Sequence, residues 1–202
     1  MDFTEKHIVI IEGADATGKT SLTNFIQNTI ANGKCHVLHS NFNKSLPANN
    51  HRRQHRLIAK FVVDNFSPKY YTGNNVIILD RNYISDIVYG TIGYGSGGTL
   101  PWKINYLCKL MRKLKKSKAQ ITFIYCRPSK KNFDPDAKEE LLTNDEDQLI
   151  SLLYDQIVIR HILPAFKDIG IKCYFYDYTE DPDYLKLDAE VFCTGHQANQ
   201  KK

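Results

Sequence analysis

Residues 13–20 read GADATGKT and match the phosphate-loop pattern G-x-x-x-x-G-K-[ST] at every fixed position. The chemistry served by such a loop is the grip on a nucleotide's phosphates. Gly13 and Gly18 let the backbone curl, so the N–H groups of Ala14, Asp15, Ala16 and Thr17 can point inward at an anion. Lys19 is read as an exposed cation that reaches the β and γ phosphates, Thr20 offers a hydroxyl to Mg2+, and Ser21 completes the set. ATP and Mg2+ are the cofactors this pattern asks for. A plain glycine turn is the alternative, but the apolar run Ile8–Ile11 before the loop and the helix-like SLTNFIQNTIA after it argue against that.

A second set of candidates follows VIIL. Asp80 ends a buried strand, where its carboxylate can hold a water of the Mg2+ shell beside Thr20, and Arg81 comes next. Asp80 could instead cap the helix NYISDIVYG. Arg127 also follows a strand end. Arg52, Arg53, Arg56 and Lys60 form a cationic set on one helix, either facing an anion or simply solvated. Phe42 is the aromatic residue of the polar loop SNFNKSLPANN, read as a core anchor or as a wall for a bound base. The basic run RKLKKSK, residues 112–118, fits the dipole at a helix C-terminus, with a nucleic-acid surface as the alternative.

These residues need a scaffold, and the hydrophobic pattern supplies one. Strands are expected at Ile8–Ile11, Cys35–His39, residues 76–80, Ala119–Cys126 and Ile171–Tyr178. Helices are expected at 19–32, 51–66, 82–92, 101–118 and 149–166, the last with Pro164 close to its end. Strand and helix alternate throughout, which predicts an α/β fold with a five-stranded parallel sheet flanked by helices. Ligands of such sheets bind at the carboxyl ends of the strands, where the loop, Phe42, Asp80, Arg81 and Arg127 can converge. The polar stretch from 129 is expected at the surface, and GHQANQKK at the end reads as frayed.

The chain has 202 residues, enough for one core, and no composition shift marks a second domain. A hydrophobic fraction of 42% and a charged fraction of 24% suit a globular protein. No apolar run approaches a membrane span, MDFTEKH lacks the layout of a signal peptide, and the expected compartment is the cytoplasm. Five cysteines without a C-x-x-C pair fit reduced thiols and make a cysteine metal site a poor expectation. The net charge of +5 is mild and suits polyanionic ligands such as nucleotides as well as it suits nucleic acid.

IEGADATGKT, with an acidic residue two places after its first glycine, and LDRNYISDIVYG together resemble the thymidylate kinase family and its deoxynucleoside kinase relatives. The DRxxxS…VYG pattern and a strand ending in CRP are also similar to nucleotide kinases of bacteriophages. The resemblance implies a phosphate-loop kinase fold as a single domain over 1–202, with a lid at about 129–149. It further implies transfer of the ATP γ-phosphoryl group to a deoxynucleoside monophosphate such as dTMP. By position, Asp15 would approach the acceptor sugar, Arg81 the acceptor phosphate, and Ser85 the acceptor base with Phe42 on the wall of its pocket. Arg56 is the choice among the helical cations for the acceptor phosphate, and Lys19, Asp80, Arg81 and Arg127 form the catalytic set. Deoxynucleoside kinases carry a carboxylate after the second strand, where this chain has SNFNKS, so the monophosphate is the preferred acceptor and a nucleoside hydroxyl the alternative. A nucleotide binder without kinase activity, docking DNA through residues 112–118, is the more distant reading. The family's catalytic arginine is absent from both its usual places: Ala16 fills the loop position, and residues 129–149 contain no arginine. Nucleotides are the expected partners, with no membrane and no specific nucleic acid, and a homodimer is admitted.

Overall fold

Strand β1, His7–Glu12, is buried along its whole length, and the sheet forms around it. In the computed structural model the residues described are 6–31, 35–39, 56–62, 64, 76–81, 83–92, 99–129, 144–187 and 191. The strands β2 (Cys35–His39), β3 (Val76–Asp80), β4 (Gln120–Cys126) and β5 (Lys172–Tyr176) join β1 in the order β2-β3-β1-β4-β5. All four pairings are parallel, as the alternation of apolar strands and helices requires. The chain is therefore an α/β fold with a five-stranded all-parallel sheet flanked by helices.

Alternate residues of β1 feed two cores. Ile8 and Ile10 pack with Ile77, Leu79 and Phe123 beneath α3 (Tyr83–Thr91), α4 (Leu100–Lys115), α5 (Asn144–Ile157) and α6 (Leu163–Ile169). Val9 and Ile11 face the other way, packing with Ile78, Ile124, and Leu22 and Ile26 of the helix that follows the phosphate loop. That helix is α1 (Lys19–Phe25), which widens into a π-helical turn over Ile26–Ile30. A helical stretch α2 at 56–62 and a short turn α7 (Leu185–Leu187) complete the described elements. Four described cysteines, Cys35, Cys108, Cys126 and Cys173, are free thiols.

The last long helix departs from its expected limits of 149–166. It begins at Asn144 and runs on through a π-helical turn, Val158–Ile162, into α6, ending at Ile169. Pro164 does not end it. Proline lacks an N–H and crowds the carbonyl four residues back, so it fits where Leu163 N–H already bonds five residues back to Val158 and a fresh helical segment starts. The run Gln148–Ile169 is long and apolar enough to cross a membrane by length and composition, contrary to the expectation that no such run exists. Its Ile150, Tyr154, Ile157, Val158, Ile162 and Phe166 recur at three- and four-residue spacing and are buried in the sheet-facing core.

His7, at the end of β1 away from the phosphate loop, is buried and shares a hydrogen bond of 2.9 Å with the Thr122 hydroxyl. Burial, helped by the charge of Lys172, lowers its pKa from the ordinary 6.5 to about 4. The unfolded chain takes up a proton near pH 6.5 and the folded chain does not, so stability present above that pH is lost as pH falls toward 4. The loss amounts to about 3 kcal/mol. Urea unfolding at neutral pH and near pH 4 should show this fall in wild type, and His7→Gln should remove that share of it.

Candidate functional site

The phosphate loop leaves β1 after Glu12 and enters α1 at Lys19, with Gly18 as its cap in the left-handed region at φ 79°. Gly13 is demanded by space, because a Cβ there would sit 2.5 Å from the Cys126 carbonyl oxygen and 2.8 Å from Thr17 Oγ1. Ala16 takes a left-handed φ of 56° without being glycine. The Thr17 hydroxyl donates to the Ala14 carbonyl at 2.8 Å. Lys19 is not exposed, as its charge suggested, but buried: its ammonium folds over the loop and donates to the Ala14 carbonyl and, at 3.2 Å, to Thr17 Oγ1. Three N–H donors on a flexible stem find acceptors in the curled backbone. Thr20 and Ser21 are exposed at the start of α1.

Beside the loop, β3 ends in Asp80, which is buried and pairs with Ile11 on one side and His39 on the other. His39 Nδ1 lies 3.1 Å from Asp80 Oδ2, while Oδ1 is buried without a hydrogen-bond partner. The orphaned Asp80 carboxylate oxygen and the exposed Thr20 hydroxyl at the start of α1 are both hard-oxygen donors, which suit Mg2+, an ion that keeps water and substrate phosphates in its shell. Among the described residues no group of three or more His, Cys, Asp or Glu could hold a metal without such help.

Arg81 follows at φ 53°, and its N–H donates to the Ile11 carbonyl at 3.1 Å. That left-handed step turns the guanidinium back to the phosphate loop, where it forms an ion pair with Asp15 and donates to the Tyr89 hydroxyl at 3.2 Å. Tyr89 in turn donates to the other Asp15 oxygen at 2.9 Å. Asp15, Arg81 and Tyr89 thus form a closed triangle joining loop, strand end and α3.

Ser85, expected near the acceptor base, sits one turn before Tyr89 on α3. It is fully buried and donates to Glu12 at 2.5 Å, with the Tyr154 hydroxyl at 2.6 Å. Its helical face is turned into the sheet, and the buried Glu12 carboxylate claims its proton. The second Glu12 oxygen accepts from the Ile84 N–H at 3.2 Å. Burial, reinforced by the Glu12 charge, holds the Tyr154 pKa far above its ordinary value, so Tyr154 keeps its proton and can donate to Ser85.

Arg127 is exposed and lies in a bidentate pair with Asp155 of α5, through Nε at 2.8 Å and Nη2 at 3.0 Å. The Tyr125 hydroxyl donates to the same carboxylate at 2.7 Å. The guanidinium is therefore already held by α5. Arg56 is exposed on α2. Phe42, Arg52, Arg53, the stretch 93–98 and residues 130–143 of the expected lid lie outside the described residues.

Sequence reasoning passed over Glu12, His39, Tyr89, Tyr154 and Asp155. Glu12 had a signal, a carboxylate ending an otherwise apolar strand, and so did Tyr89, one helical turn after Ser85. Tyr154 and Asp155 had none, because their partners lie 69 and 30 residues away or nearer only in space.

No protein-family model matches the chain, and no curated protein matches it. Among solved structures it is similar to the crystal structure of a protein assigned as polyphosphate kinase 2 from Pseudomonas aeruginosa PA01, with a TM-score of 0.59 and 15% identity over 86% of this chain and 34% of that one. It is also similar to NadR protein in complex with NR, with a TM-score of 0.45 and 17% identity over 85% of this chain and 46% of that one. The chain spans about a third of the length of the first neighbour. The first likeness is one of fold.

Two non-polar loop positions, Gly13 and Ala16, should respond differently. Gly13→Ala pushes a Cβ into the Cys126 carbonyl and should lower stability by about 1–3 kcal/mol. Ala16→Gly relieves a left-handed backbone and should be neutral or stabilising by up to about 1 kcal/mol. Urea midpoints of the two variants against wild type measure both.

Proposed function

We propose that the protein transfers the γ-phosphoryl group of ATP to a deoxynucleoside monophosphate, with dTMP or a related pyrimidine nucleotide as acceptor. The observation that carries this reading is the triangle of Asp15, Arg81 and Tyr89, which places a cation and two hydrogen-bonding oxygens against the phosphate loop. A protein that only held a triphosphate has no evident use for an arginine on that side. An arginine fork matches a phosphate in two parallel hydrogen bonds, and Asp15 can exchange its present partners for a sugar hydroxyl.

On the donor side, the N–H groups of the loop and the start of α1 grip the triphosphate, and Lys19 swings from the Ala14 carbonyl to the phosphates. Mg2+, when bound through Thr20 and Asp80, neutralises charge on the phosphates. The acceptor monophosphate is already ionised, so the chain's task is to align it and surround the moving group with positive charge. Lys19 and Arg81 supply that charge. Arg127 joins them only by releasing Asp155, and Arg56 and Phe42 complete the acceptor side in this reading. The chain acts as one domain, with residues 129–149 as its lid.

Labelled ATP with a panel of nucleosides and nucleoside monophosphates tests the assignment. Transfer to monophosphates is the expected result. Transfer only to nucleosides would give the chain to the nucleoside kinases, and no transfer to either class would refute both. Lys19→Met keeps the buried stem and removes the charge, and should lower turnover by about a hundredfold or more with the fold retained by circular dichroism. In Arg81→Ala the acceptor KM should rise while the ATP KM stays near wild type. An unchanged acceptor KM would give Arg81 a purely structural role.

A further inference from the structure

The last two residues of β1 hold the segment after β3 at both of its ends. The Ile11 carbonyl takes the N–H of Arg81 at 3.1 Å, and the Glu12 carboxylate takes the N–H of Ile84 at 3.2 Å and the hydroxyl of Ser85 at 2.5 Å. The first tie is made by Arg81 itself, which stands at φ 53°, a conformation that a residue with a side chain keeps only where its surroundings over-determine it. Glu12 is fully buried. A carboxylate is a costly group to bury, and an apolar side chain of similar size would suit the core at least as well, so stability alone does not account for it.

We propose that Glu12 is a positioning residue that clamps the first turn of α3 to the strand carrying the phosphate loop, and thereby fixes Arg81 against Asp15 and sets the acceptor half of the site relative to the donor half. Glu12 lies one residue before Gly13, so the clamp and the loop share a single rigid strand end. Ser85 passes the tie to Tyr154, whose ring lies edge-on to Tyr89 at 6.4 Å, and Tyr89 is itself a member of the triangle with Asp15 and Arg81. Glu12 therefore supports the arginine along the backbone and the tyrosine through packing, without touching substrate. This inference rests on the phosphoryl-transfer reading and names what holds its acceptor side in place.

Two substitutions separate positioning from bulk. Glu12→Ala removes both hydrogen bonds. Glu12→Gln keeps the shape: its amide oxygen faces the Ile84 N–H, its NH2 donates to Ser85 Oγ, and Ser85 turns its own proton toward Tyr154. Initial rates are measured with acceptor and ATP varied separately. Glu12→Ala should raise the acceptor KM by about tenfold or more while the ATP KM moves by less than about threefold, and Glu12→Gln should recover most of the loss. Amide hydrogen exchange at Arg81 and Ile84 is followed in the same proteins, where Glu12→Ala should lose about tenfold in protection and Glu12→Gln should regain it. Should Glu12→Ala fail to fold, Ser85→Ala removes one arm of the clamp and should show the same split at about threefold. Equal changes in both KM values, no change in either, or a Glu12→Gln variant as impaired as Glu12→Ala would overturn the proposal. A wild type that phosphorylates no acceptor refutes the functional reading alone. Exchange then decides the clamp by itself, and unchanged protection in Glu12→Ala overturns it.

Discussion

The parallel pairing of β1 with β3, in the register that sets Ile11 opposite Asp80, is the constraint on which the site depends. Side chains alternate faces along a strand, so a slip of one residue would turn Asp80 to the other side of the sheet and carry Arg81 out of reach of Asp15. The register is held by burial on both faces. Ile8 and Ile10 fill one core and Val9 and Ile11 the other, and either set would be misplaced by a slip. Because the two strands end within one residue of the same level, the phosphate loop and the Asp80–Arg81 step emerge side by side.

Around that level the protein gathers groups that interiors usually reject. Glu12, Lys19 and Asp80 are all buried. Each charge is matched close by: Glu12 by two donors on α3, Lys19 by loop oxygens, and Asp80 by His39. The exception is Asp80 Oδ1, and a buried acceptor left open is a cost that a fold keeps where a ligand later satisfies it. Ala16 and Arg81 are both left-handed without being glycine, and Arg81 pairs with Asp15, the neighbour of Ala16. Strain and buried charge coincide at the carboxyl ends of the central strands, where α/β proteins bind their ligands.

Much of this was legible in the residues. The loop motif stands out because only glycine fits beside the Cys126 carbonyl at position 13 and takes the left-handed cap at 18 without strain. The strands were legible because both faces of the sheet are covered, leaving short unbroken apolar runs. One reading of a side chain went astray: Lys19 was judged by what its charge could reach outward, and it is buried and met first by a loop carbonyl. Ser85 and Arg127 likewise have partners inside the protein, Glu12 and Asp155, that no local pattern announces. The helix runs five residues past Pro164, since a π-helical turn just before it admits proline there.

Sequence by itself determined the phosphate loop, the order of strands and helices, and the acid–arginine pair at the end of β3. These follow from local rules, namely backbone freedom at glycine, hydrophobic period and strand length, which act over a few residues. Tertiary structure decided which of the charged residues face one another. Asp15 meets Arg81 across 66 residues, Glu12 meets Ser85 across 73, and Ser85 meets Tyr154 across 69. No pattern in the chain encodes such distances, because hydrogen bonds depend on separations of about 3 Å that only the packed sheet and its register create.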